Sequence, residues 1–176
     1  MKIYQMDLDV NNFNILLMKG ESGYKLLRTF NGNSKLKEWK PIELEFYEDK
    51  SIYQSDVYSF NGIPVFEDNS KLQNIKSILL QYGELLPVNC ERKTLYLYNV
   101  TTVIDALDVE KSKCMIIGEQ KIILKVERPV FKTELLEGVD IFKVVQANLF
   151  TIYVSANFVK LVNENNIIGF LFKDFS

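Results

Sequence analysis

Short runs rich in Ile, Val, Tyr and Phe recur along almost the whole chain, at 2–7, 14–18, 42–47, 94–100, 113–117, 121–127, 141–145 and 151–154. β-branched and aromatic side chains in runs of this length fit a pleated surface, so sheet dominates what the chain can become. One stretch carries a clear helical period: Leu72, Ile75, Ile78, Leu79 and Tyr82 share one face of 70–82. Asp68 or Asn69 can cap its start and Gly83 can end it. A second helix is expected over 156–164, capped by Ser155, with Phe158, Leu161 and Val162 to one side, and Gly169 then falls inside a terminal strand, IIGFLF. The segment 99–112 is apolar at Val103, Ile104, Leu107 and Val109 but opens on two threonines, and reads as a turn or short helix. Strands flanking isolated helices, without regular alternation, predict an α+β fold: a mainly antiparallel sheet with two or three helices packed on one face.

No Pro/Gly/Ser-rich linker, repeat or low-complexity tract divides the chain, so residues 1–176 are expected to form one domain. With 47% hydrophobic and 25% charged residues, the composition is that of a globular protein able to bury a core without disulfides. Asp7 and Asp9 stand where a signal peptide needs an apolar core, and no apolar run is long enough to span a bilayer. A cytoplasmic protein with no membrane partner is expected. A net charge of −2 argues against a nucleic-acid surface, which ordinarily shows a basic stripe.

Histidine is absent, which removes the commonest general acid–base group and the commonest metal ligand together. Cys90 and Cys114 have no metal-ligand spacing and read as buried or idle thiols. The P-loop, dinucleotide fingerprint, nucleophile elbow and zinc-binding helix motif are all missing. No cofactor, metal or catalytic residue is therefore expected, and a binding protein is favoured over an enzyme. The alternative is a small ligand- or metal-binding module using Asp105 and Asp108, three residues apart and adjacent if that segment is helical. Asp in such a turn more often caps a helix or bonds local amides. Arg28, Arg92 and Arg128 lie too far apart in sequence to define an anion clamp, and the lone Trp39 is expected to pack as a core or edge anchor.

The stretch 41–68 sets seven carboxylates against one lysine, Lys50, and interleaves them with Phe46, Tyr47, Tyr53, Tyr58 and Phe60. Aromatic side chains beside negative charge suit docking on a basic partner surface. The candidate partner-binding residues are Glu43, Glu45, Tyr47, Glu48, Asp49, Tyr53, Asp56 and Tyr58, with Tyr47, Tyr53 and Tyr58 as anchors. The competing reading is a solvated edge hairpin whose acids keep an exposed sheet from pairing.

Five ordered segments carry a resemblance: GIPVF at 62–66, GELLPVNC at 83–90, YLYNVTTVIDALD at 96–108 followed by Ser112, DIFKV at 140–144, and IYVSANFVKLVNENNIIGFLF at 152–172. From Gly62 onward the chain resembles family eleven of the immunity proteins of bacterial polymorphic toxin systems; before it, only Trp39–Pro41 and Asp56 match loosely. The resemblance implies a non-catalytic protein that binds and neutralises a cognate toxin in the cytoplasm. Gly83, Pro87, Asn99, Asp105 and Gly169 are types that turns, caps and tight backbone require, so they are expected to build the fold rather than the interface.

Overall fold

The strand-forming runs condense into three sheets in the computed structural model, which describes residues 1–19, 23–47, 54–91, 93–118, 122–147 and 149–175. In chain order the strands are β1 (Ile3–Leu8), β2 (Ile15–Met18), β3 (Leu44–Phe46), β4 (Val57–Phe60), β5 (Ile63–Glu67), β6 (Gly83–Cys90), β7 (Lys93–Val100), β8 (Val103–Ile104), β9 (Lys113–Ile117), β10 (Ile122–Arg128), β11 (Ile141–Val144), β12 (Ile152–Ser155) and β13 (Phe170–Asp174). The helices are α1 (Tyr24–Leu27), α2 (Ser70–Tyr82) and α3 (Ala156–Glu164). The α+β class holds, with the strands divided among three sheets rather than gathered in one.

The largest sheet runs β3-β2-β4-β5-β7-β6. Its β4–β5 hairpin turns on Asn61 and Gly62, both at positive φ (50° and 85°), the two-residue turn whose twist matches antiparallel strands. Alternate residues of every strand, among them Leu16, Leu44, Phe60, Val65, Leu86, Val88, Leu95 and Leu97, point to one side and form a single buried cluster. That arrangement requires the sheet to curl, and its two edges meet: Asn89 N–H donates to the Ile42 carbonyl (2.9 Å) and the Asn89 amide to Glu43 Oε1 (2.7 Å). Trp39 closes the same seam, its indole N–H donating to the Pro87 carbonyl (2.8 Å) while its ring meets Phe30 edge-on. Closure satisfies backbone groups that an open edge would expose.

The second sheet runs β13-β1-β12-β11-β8, antiparallel except for β8 beside β11. Both of its faces are buried along β11 and β12, whereas β13 at its edge is partly exposed. Met6, Ile141, Ile152 and Val154 face a cluster shared with α2, α3 and the outer face of the first sheet, while Ile3, Phe142, Val144 and Tyr153 face the chain between β8 and β11.

Both long helices begin and end where their sequences predict. Asn69 caps α2, accepting from Leu72 N–H (3.0 Å), and Ser155 caps α3, accepting from Phe158 N–H (3.2 Å). Their apolar faces, Leu72, Ile75, Leu79 and Tyr82 on one and Phe158 and Val162 on the other, enter the shared cluster. Gly83 does not end α2 in a left-handed turn; it is extended and opens β6, where a Cβ would strike the Asn99 carbonyl and the Tyr98 ring. The segment after Asn99 is not helical: β8 leads into a bridge, Leu107 to Phe131, and a turn at Asp108–Ser112.

Gly169 precedes β13 rather than lying within it, at φ +119° against the Val57 carbonyl. Gly169→Ala should cost at least about 2 kcal/mol, because strain and overlap add at one position. Urea denaturation of the two proteins measures it, and an unchanged midpoint would show that the β4–β13 junction relaxes freely.

Candidate interaction surface

Strand β3 alternates as its sequence requires: Leu44 is buried, Phe46 is half-buried, and Glu43, Glu45 and Tyr47 are exposed, Tyr47 at 56%. Three of the eight candidate residues therefore share an acidic, aromatic face at the seam of the curled sheet. Glu48, Asp49 and Tyr53 lie outside the described residues.

The remaining two turn inward. Tyr58 is 3% exposed, its ring edge-on to Phe46 at 5.0 Å and its hydroxyl donating to Glu67 (3.0 Å). Lys93 bridges the pair, bonding Glu67 (2.8 Å) and lying over the Tyr58 ring, and burial first and the Glu67 carboxylate second raise the Tyr58 pKa. Asp56 accepts from Lys71 (2.7 Å), the Asn69 amide (3.0 Å) and Ile168 N–H (2.8 Å), tying the start of α2 to the turn before β13. Both residues serve the fold, because β4 lies in the middle of its sheet and not at an edge as in the competing hairpin reading.

The carboxylates weighed for chemistry hold nearby side chains. Asp105 accepts from Lys132 (3.2 Å) and the Gln146 amide, and Asp108 from Lys111 Nζ (2.8 Å) and Lys111 N–H (3.2 Å). Lys111 holds the Asp108 pKa below its ordinary value. Among the described residues no group of three or more His, Cys, Asp or Glu is placed to hold a metal ion. Cys90 is buried, which pushes its thiol up to about 11, and Cys114 is half-buried. Of the arginines, Arg92 is outside the described residues.

Two buried charges lacked any sequence signal. Glu84, 6% exposed, accepts from the Ser34 hydroxyl, Lys35 N–H (2.9 Å) and the Asn99 amide (3.0 Å). Burial raises its pKa, but those bonds outweigh it and leave the carboxyl below its usual value. Lys143, 4% exposed, donates to the Phe30 carbonyl (3.1 Å) beside a cavity of about 60 Å³ lined by Leu27, Asn61, Ile63 and Tyr98. No carboxylate among the described residues pairs with it, and burial lowers its pKa to about 8.

Beyond the turn at 108–112 stands the β9–β10 hairpin, a two-stranded sheet on its own. Ser112 staples its base: the hydroxyl donates to the Asp108 carbonyl (2.6 Å) and accepts from Val130 N–H (2.8 Å). Backbone bonds from Asp108 N–H to Val130 (2.8 Å) and from Lys132 N–H to Ala106 (2.8 Å) flank that staple. Cys114, Ile123 and Val126 pack inward, yet Met115, Ile117, Ile122 and Leu124 remain about half exposed. In sequence both strands look like ordinary sheet members, and nothing local marks this apolar surface as exposed.

Asp105 and Asp108 are thus engaged by lysines, and exposed apolar side chains gather on the two-stranded hairpin. A model of an immunity protein family, Imm11, matches residues 88–176, and the chain belongs to that family. The match runs from the end of β6 to the C-terminal residue and so takes in the motif at 96–108, Ser112 and the blocks at 140–144 and 152–172, but not GIPVF or α2. Comparison with curated proteins finds no match.

A buried lysine of lowered pKa destabilises the fold while it is charged in both states, and the penalty is relieved as pH rises from about 8 toward 10.5. Lys143→Met should thus be more stable than the wild type at pH 7 by on the order of 2 kcal/mol, after loss of one hydrogen bond. The gap should close between pH 8 and 10.5, as paired thermal melts can follow. A gap independent of pH would mean that burial does not lower the Lys143 pKa and that the ammonium stays charged across this range.

Proposed function

We propose that this chain neutralises a cognate bacterial protein toxin by binding it in the cytoplasm, without catalysing a reaction, as a single domain spanning 1–176. Membership of an immunity protein family is the observation that carries this reading. The engagement of Asp105 by Lys132 and of Asp108 by Lys111 supports binding over chemistry, since each carboxylate already spends its charge on a lysine.

The acidic face of β3 is one contact surface in this proposal, through Glu43, Glu45 and Tyr47. Carboxylates exposed beside an aromatic ring favour a basic patch on the toxin, and such rim charges act mainly on the rate of association. Tyr47 is the anchor, because its ring, 56% exposed, is the aromatic surface on this face that docking would cover.

Co-expression with the product of the adjacent upstream reading frame is the test, scored by survival and co-purification. Rescue together with a stable complex is expected. Rescue without a complex would replace neutralisation by binding with enzymatic protection. Glu43→Lys/Glu45→Lys/Tyr47→Ala should weaken the complex by about tenfold or more, and unchanged affinity would remove the β3 face from the interface.

A further inference from the structure

We propose that the β9–β10 hairpin is the element on which the toxin docks, by accepting an extended toxin segment that is apolar at one end and acidic at the other. The inference rests on the reading of this chain as an immunity protein and names the partner chemistry of that activity.

The register of the hairpin sorts its side chains. Cys114 lies opposite Val126 and Ile116 opposite Ile123, and Cys114, Ile123 and Val126 of this face join the core. The other face is formed by Ile117 with Ile122, Met115 with Lys125, and Lys113 with Arg128. From tip to base it therefore passes from purely aliphatic to charged, with Lys113, Lys125 and Arg128 outnumbering the single carboxylate there, Glu127. Met115, Ile117 and Ile122 are 50%, 53% and 53% exposed, and Leu124, at the bulge between Ile123 and Lys125, is 49% exposed. Monomeric surfaces seldom gather so many large aliphatic side chains in one place without a use for them. Of the cations, Lys113 is paired with Glu127 (2.7 Å), whereas Lys125 and Arg128 are exposed and make no ion pair among the described residues.

The backbone makes the same point. β9 and β10 pair only with each other, and no backbone hydrogen bond among the described residues joins the outer edge of either strand to another element. An incoming strand can complete such a ladder with main-chain hydrogen bonds and take its specificity from alternate side chains. Its apolar residues would cover Ile117, Ile122 and Met115, and its carboxylates would reach Lys125 and Arg128.

Two other occupants fit less well. A second copy of the hairpin would set Lys125 and Arg128 against either the same cations or the aliphatic tip, and neither arrangement satisfies them. Insertion into a bilayer would carry the open edges into hydrocarbon, where each unpaired N–H and C=O is costly.

The test measures affinity for the co-expressed upstream product by calorimetry with three proteins: wild type, Met115→Ser/Ile117→Ser/Ile122→Ser/Leu124→Ser, and Lys125→Glu/Arg128→Glu. All six positions are exposed, so thermal midpoints close to that of the wild type certify folding, and the charge variant keeps the test alive if the apolar one fails to fold. The apolar variant should bind about 100-fold more weakly and the charge variant about tenfold more weakly. Wild-type affinity in both variants, with the wild type neutralising the toxin, would overturn the hairpin and leave the immunity function standing. A wild type that neither binds nor rescues would overturn the immunity reading and the hairpin with it. Two controls complete the test. Wild type that sediments with phosphatidylglycerol vesicles, or dimerises in dilute solution, through these residues while both variants keep their toxin affinity would assign the hairpin to that other occupant.

Discussion

Tyr98 joins the two halves of this molecule. It is 1% exposed, its ring lies edge-on to Phe66 in the neighbouring strand, and its hydroxyl donates to the Leu79 carbonyl of α2 (2.9 Å). A phenol so buried must find a hydrogen-bond partner, and here the partner is the backbone of the helix that covers it. Around it the outer face of the curled sheet, α2, α3 and one face of the second sheet share a single apolar cluster. Gly83 follows from the same constraint, since the ring and the Asn99 carbonyl occupy the space a side chain there would need. The inner cluster of the curled sheet and the cluster on the far side of the second sheet can then each be sealed separately.

Much of this architecture is legible in the sequence, and the exceptions share a cause. Both long helices were readable because an apolar period and a capping side chain agree at each. Strands β1, β2, β3, β7, β9, β10, β11 and β12 fall within two residues of the runs that predict them. β4 and β5 carry no alternation because they are buried nearly throughout, and β6 alternates only from Leu86 to Cys90, with Pro64 and Pro87 interrupting two of the three. Both prolines sit where no ladder bond is lost: Pro64 lies before β7 joins β5, and Pro87 faces the seam, where its carbonyl receives the Trp39 indole. The Asn61-Gly62 dipeptide was the signal that would have found β4 and β5.

The same limit governs the surface. Alternation placed Glu43, Glu45 and Tyr47 outward, but no local pattern shows that β4 is central, and this is why Asp56 and Tyr58 fall inside. Runs such as Met-Ile-Ile read as core wherever they occur, so only the three-dimensional arrangement reveals that β9 and β10 pair with no third strand among the described residues. The half of the chain that matches the immunity family includes that hairpin and its Ser112 staple, while the acidic β3 face lies outside the match.

Strand β1 pairs with β12 on one side and β13 on the other. The first of these strands in chain order is thus inserted between the last two, and its ladder is completed only by residues from 152 onward. During synthesis the curled sheet can assemble from 15–100 while β1 waits unpaired until residues 152–174 have been made. Completion of this sheet is therefore held back to residues 152–174, whereas the curled sheet needs nothing beyond residue 100.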